Sequence, residues 1–145
     1  MTNEPRERFR RDEEVREVVR KFESCEFRPA EFKHRLHLAV ALSYLLEAPY
    51  TEALERMRLG LRRFIQAHGI ESRLYHETLT AFWMRRVLAF VGQADASRGL
   101  AELANELIEA CGDPRLVFEY YSKERLDSDK ARADWLDSDL KPLDF

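Results

Sequence analysis

Leu36-His37-Leu38-Ala39-Val40-Ala41-Leu42-Ser43-Tyr44-Leu45-Leu46 decides the fold. Read at 3.6 residues per turn, this stretch is apolar on nearly every side, which marks the central, most buried helix of a bundle. Its longest near-apolar run, Leu38 to Leu46, is interrupted by Ser43 and is far too short to span a bilayer. Upstream, Pro29 suits the first turn of this helix, which should run from there to about Glu47.

The flanking segments repeat the helical period. Val15, Val18, Val19 and Phe22 predict a first helix that ends before Arg28-Pro29. After the turn Ala48-Pro49-Tyr50, Thr51 is positioned to cap a third helix. Its stripe is Leu54, Met57, Leu61, Phe64 and His68, and Gly69 supplies a left-handed end. A fourth helix over roughly 74–91 is apolar on most faces, with Leu79, Phe82, Trp83, Val87 and Phe90 on one side. Ser97 or Asp95 should cap a fifth, which carries Leu100, Leu103, Leu107 and Cys111 inward and stops at Gly112. Asp113-Pro114 opens a short sixth helix through Tyr121. In the tail, a helical stretch is expected around 128–135, with Leu126, Trp135, Leu140 and Leu143 pinning it to the body. The expectation is an all-α, single-domain bundle of about five main helices over 12–143, with a docked C-terminal tail. A charged N-terminus, 1–11, should be frayed.

Composition agrees. The chain has 145 residues, enough for one sizeable core, with 45% hydrophobic and 35% charged residues and only five Gly and five Pro. A net charge of −3 provides no global attraction for nucleic acid. Cys25 and Cys111 are too few and too far apart for a disulfide framework or a CxxC site, which fits free thiols in a reducing compartment. Met1 to Arg20 is rich in Arg and Glu and lacks the apolar core of a signal peptide. A soluble, cytoplasmic protein is expected, with no membrane partner.

The chemistry-bearing residues converge once topology is added. His34 and His37 lie one turn apart on the second helix. His68 ends the third, and His76 opens the fourth beside Glu77. Short links make these helices antiparallel neighbours. From the turn at Pro49, His37 and His34 lie about 18 and 22 Å up one helix, and His68 about 28 Å up the next, at about 1.5 Å per residue. His76 returns to about the level of His34. All four histidines thus map to one end of the bundle, with Glu31, Tyr75 and Glu77 as neighbours. Imidazoles and carboxylates on facing helices are the usual material of zinc, iron or manganese sites. Glu77 would then act as ligand, orienter or general base. No HExxH is present, and no two ExxH motifs that together would spell a di-iron carboxylate site. The same residues also suit a hydrogen-bonded network that only fixes packing, and His68 suits a helix C-terminus.

Other constellations point to structure. Nothing in the topology places Cys25 near a histidine, so a nucleophile pair is not indicated. Ser43 suits back-bonding to a carbonyl. Phe82, Trp83 and Phe90 at helical spacing suit a core, and no Gly-rich phosphate loop occurs. Arg56, Arg58, Arg62 and Arg63 share a helix with Glu52 and Glu55 and read as a solvated face.

Three motifs carry a resemblance. Phe32-Lys33-His34-Arg35-Leu36-His37-Leu38 reads F-x-H-x-x-H-L. Gly60-Leu61-Arg62-Arg63-Phe64, followed by Ala67-His68-Gly69, reads G-L-R-x-F…H-G. Tyr75-His76-Glu77-Thr78-Leu79-Thr80 reads Y-H-E-T-x-T. Together with the tail segments Ser128-Asp129-Lys130-Ala131-Arg132 and Asp139-Leu140-Lys141-Pro142-Leu143, they resemble a family of small bacterial helical proteins of unknown function, over about 27–143. The resemblance implies one motif set made of His34, His37, His68, His76, Glu77, Thr78 and Thr80, and no activity. Two functions follow from these readings. One is a protein, or an enzyme, that binds a divalent metal or small molecule through His34, His37, His68, His76 and Glu77, supported by Tyr75, Thr78 and Thr80. The other is a non-catalytic protein-interaction module whose histidines are structural.

Overall fold

A computed structural model of the chain describes residues 8–145. Within them the protein is a single all-α domain without strands. The expected frayed segment falls outside the described residues as far as position 7. Phe9 is buried, and its backbone exchanges two hydrogen bonds with the Asn105 side chain, at 2.9 and 2.8 Å.

Helix α1 (Asp12–Glu23) buries Val15, Val18 and Phe22. Acids fill its first turn and Arg20 and Lys21 its last, which complements the helix dipole. It stops before the expected boundary. Ser24 is the cap, and Cys25 takes the left-handed conformation (φ +60°), while Glu26 N–H reaches back to Lys21 O and Cys25 N–H to Phe22 O. That is a Schellman ending with cysteine where glycine is usual.

Helix α2 (His34–Glu47) is the centre of the bundle, and every side chain from Leu38 to Leu45 is buried. It packs against all four other long helices. Its start is His34, not Pro29. Arg28 O accepts from Glu31 and Phe32 N–H, and Glu31 Oε1 accepts from Arg28 N–H, so the segment closes as an isolated turn. Phe32 is thereby delivered into the core, stacked on Phe22 with ring centroids 4.7 Å apart.

Helix α3 (Tyr50–Ala67) starts at a Pro49 cap, so Thr51 lies inside it. Gly69, at φ +68°, takes the expected left-handed position beyond the His68 cap. A 3-10 turn (Ser72–Leu74) leads to helix α4 (Glu77–Gln93), which begins three residues later than expected because His76 itself is the cap. Helix α5 (Leu100–Cys111) begins at Gly99, and Asp12 from α1 accepts from Ala101 N–H at its start. Asp95 instead closes a local turn onto Ser97.

The tail follows as a 3-10 turn (Pro114–Glu119) and two short helices, α6 (Lys123–Leu126) and α7 (Asp129–Ala133). Asp113 and Ser128 cap the first and last of these. Tyr120, Tyr121 and Leu126 build a second apolar cluster on α4 around Phe82, against which Trp135 and Leu143 rest. Leu140, expected to pin the tail, is 56% exposed. Among the described residues no helix is long and apolar enough to cross a membrane.

Candidate functional site

The ring-bearing face of α2 opens onto a cavity of about 360 Å³. Leu38 and Ala41 of α2 line it, with Met57, Leu61 and Ile65 from α3 and Leu79, Trp83 and Met84 from α4. Leu74 stands at its mouth, 42% exposed. The spacing explains the walls: Met57, Leu61 and Ile65 recur every four residues, so α3 presents one continuous apolar edge. The polar lining is His34, His37, Tyr75, His76 and Thr80. Three of the four sequence-selected histidines therefore share one cavity.

Each of those rings is held by a backbone carbonyl. His34 Nε2–H donates to Cys111 O at 3.0 Å, His37 Nε2–H to Phe32 O at 3.2 Å, and His76 Nε2–H to Leu126 O at 2.7 Å. A carbonyl only accepts, so all three are fixed with the proton on Nε2. His34 meets Trp83 edge-on at 4.4 Å between ring centroids, and His37 stacks on Phe32 at 4.1 Å. Burial pushes the His37 pKa down to about 4, with the neighbouring His34 adding to the effect against the Phe32 hydrogen bond. Burial likewise lowers His34 and His76, against the carbonyl bonds to Cys111 and Leu126 that favour the charged forms. All three are neutral at pH 7.

The histidines then differ. His76 Nδ1 accepts from Leu79 N–H at 3.1 Å, which caps α4 and leaves neither ring nitrogen free. His34 and His37 keep Nδ1 as an acceptor without a hydrogen-bond partner among the described residues. His68 departs from the expected set. It leans on Phe64, with centroids 4.6 Å apart, does not line the cavity, and has a buried Nε2 with no hydrogen-bond partner among the described residues. The cause is register: His68 follows Phe64 by four residues and so lies over it, one row away from Met57, Leu61 and Ile65, which face the cavity.

Glu77, expected as ligand, orienter or base, holds the hydroxyl of the lining residue Tyr75 and does not itself face the cavity. It is buried outside the cavity lining and accepts from Arg58 Nε at 3.1 and 3.0 Å and from Tyr75 OH at 2.7 Å. Burial pushes its pKa up, but the Arg58 and Tyr75 hydrogen bonds outweigh that and hold it below the usual carboxylate range. Thr78 is fully buried and serves the tail, donating to Asp134 O at 2.7 Å and accepting from Leu136 N–H at 3.1 Å. Thr80 lines the cavity but donates its hydroxyl proton to His76 O at 2.8 Å. Glu31 is exposed and paired with Arg28. Among the described residues no group of three or more His, Cys, Asp or Glu is placed to hold a metal ion.

Two features escaped the sequence. Trp83 reads as core but forms cavity wall, because α2, α3 and α4 do not close over it. Arg58 reads as solvated surface but pairs with Glu77; only its place on α3 opposite the start of α4 could have signalled this. In comparisons with known proteins, no family model, no curated protein and no solved structure matches this chain.

Proposed function

We propose that this protein binds a small, largely apolar organic molecule in the cavity between α2, α3 and α4. The observation that carries the reading is the cavity itself. Its volume of about 360 Å³ is at the small end of the range typical of ligand pockets, and its walls are apolar with a few converging polar groups. Other clefts on the surface are as large or larger, and what sets this one apart is its mainly apolar wall. We propose kinship with the family resembled along with the binding role; of its motif set His34, His37, His68, His76, Glu77, Thr78 and Thr80, the residues His34, His37, His76 and Thr80 line the cavity. The donors favour an organic ligand over a metal, since His76 has both ring nitrogens engaged and Arg58 and Tyr75 hold the Glu77 carboxylate.

The test uses N-phenyl-1-naphthylamine, a neutral dye that brightens in apolar surroundings. The native protein should bind it saturably at one site. Leu61→Trp, which fills the cavity from a half-buried position, should abolish binding with an unchanged melting temperature. No saturable signal, or equal binding by the variant, would overturn the reading.

A further inference from the structure

The cavity's polar atoms are unusually one-sided. Tyr75 gives its hydroxyl proton to Glu77, Thr80 gives its own to His76 O, and His76 uses both ring nitrogens. What remains is acceptor capacity: Nδ1 of His34, Nδ1 of His37 and the lone pairs of Thr80. Among the described residues no Lys or Arg lines the space. Arg62 lies over the Tyr75 ring, 4.6 Å from its centroid, but outside the lining.

Building on the binding reading above, we propose that the cavity selects neutral aromatic molecules carrying a hydrogen-bond-donating hydroxyl or amine. Trp83 and Tyr75 offer ring surfaces, and Met57 and Met84 offer the polarizable sulfurs that pack well against arenes. A donor on the ligand satisfies an imidazole Nδ1. A molecule of the same shape without a donor must strip water from that nitrogen and return nothing. An anion meets acceptors and no counter-charge, which makes its desolvation uncompensated. The neutral state of His34 and His37 at pH 7 keeps them acceptors there.

Three probes of one shape separate these cases by isothermal titration calorimetry at pH 7.5: 2-naphthol, 2-methoxynaphthalene and 2-naphthoate. We expect 2-naphthol to bind about tenfold or more tightly than the methyl ether, equivalent to one hydrogen bond of about 1.4 kcal/mol, and 2-naphthoate to give no binding heat. In nitrogen-15 spectra of the histidine rings, 2-naphthol should move Nδ1 of His34 or His37 and leave His76 unchanged. This second measurement requires no variant and so no assumption about folding. Equal affinity for naphthol and its ether, tighter binding of the naphthoate, or ring shifts confined to His76 would overturn the donor selection while leaving the cavity reading intact. No binding of any of the three probes, together with no binding of N-phenyl-1-naphthylamine, would overturn both.

Discussion

His76 joins three parts of the protein through one ring. Its Nδ1 holds the first turn of α4 at Leu79, its Nε2 holds the tail at Leu126, and the ring edges the cavity. His76→Ala would leave Leu79 N–H and Leu126 O unpaired, so stability should drop by about 1–3 kcal/mol. His76→Asn, which can still cap, should recover part of that loss. Urea unfolding midpoints decide it, and a wild-type midpoint for the alanine variant would remove the role. His37 governs a pH dependence instead. Its imidazole titrates near 6.5 in the unfolded chain and at about 4 in the folded protein. Between those values the unfolded state takes up a proton that the native state refuses, so stability is full above the upper value and falls as pH drops through the window. His34, which faces Asp113, and His76, which faces Arg132 and Asp127, are displaced in the same direction. At about 1.4 kcal/mol per pH unit, and discounted for the ring's open cavity side, the His37 share is about 2 kcal/mol. Midpoints measured from pH 4.5 to 7.5 should rise with pH, and His37→Gln should flatten the slope. A profile already flat in the native protein would contradict this.

At the scale of elements, the helices explain what was legible. The apolar run of α2 announced a helix with neighbours on every side, and four long helices do pack around it. Helix starts were harder to read. Three of them depend on partners distant in sequence or on unusual caps: Asp12 caps α5 from α1, His76 caps α4 through a ring nitrogen, and Phe32 ends a separate turn because its ring belongs in the core. No local rule contains those contacts. That His34, His37 and His76 line one cavity is legible from short links and rise per residue, which fix the levels of antiparallel helices, although each ring is tied to its own backbone carbonyl and not to another histidine. The fates of His68 and Glu77 are not, since they turn on one row of register along α3 and on an arginine 19 residues away. The tail gives the element-scale prediction. Thr78→Val keeps the volume but removes both hydrogen bonds to residues 134 and 136. We expect about 1–3 kcal/mol of destabilisation and faster amide exchange over 129–136, with α2 protection little changed. Unaltered exchange in that segment would mean that the aromatic cluster alone docks the tail.

For the molecule as a whole, the two apolar clusters divide the work. The larger one around α2 holds the long helices together, and the smaller one fastens the tail across the far side of α4 around Phe82. The cavity is walled mainly by three long helices, with Leu74, Tyr75 and His76 of the link before α4 completing the lining, so most of it is set by rigid elements. Glu77 and Arg58 brace the same region by tying the start of α4 to α3. A site of this kind should change little in shape when filled, and its signals should report the ligand locally.

Two of the three methionines in the chain, Met57 and Met84, line the cavity, which makes them direct reporters of its contents. The decisive measurement is a methyl carbon–proton spectrum of protein labelled at methionine, titrated with 2-naphthol and N-phenyl-1-naphthylamine. The Met57 and Met84 methyl signals should shift together and saturate at one equivalent of either probe, with both responses lost in Leu61→Trp. Methyl signals that stay unmoved as both probes approach their solubility limits would contradict the claim that this cavity is a binding site.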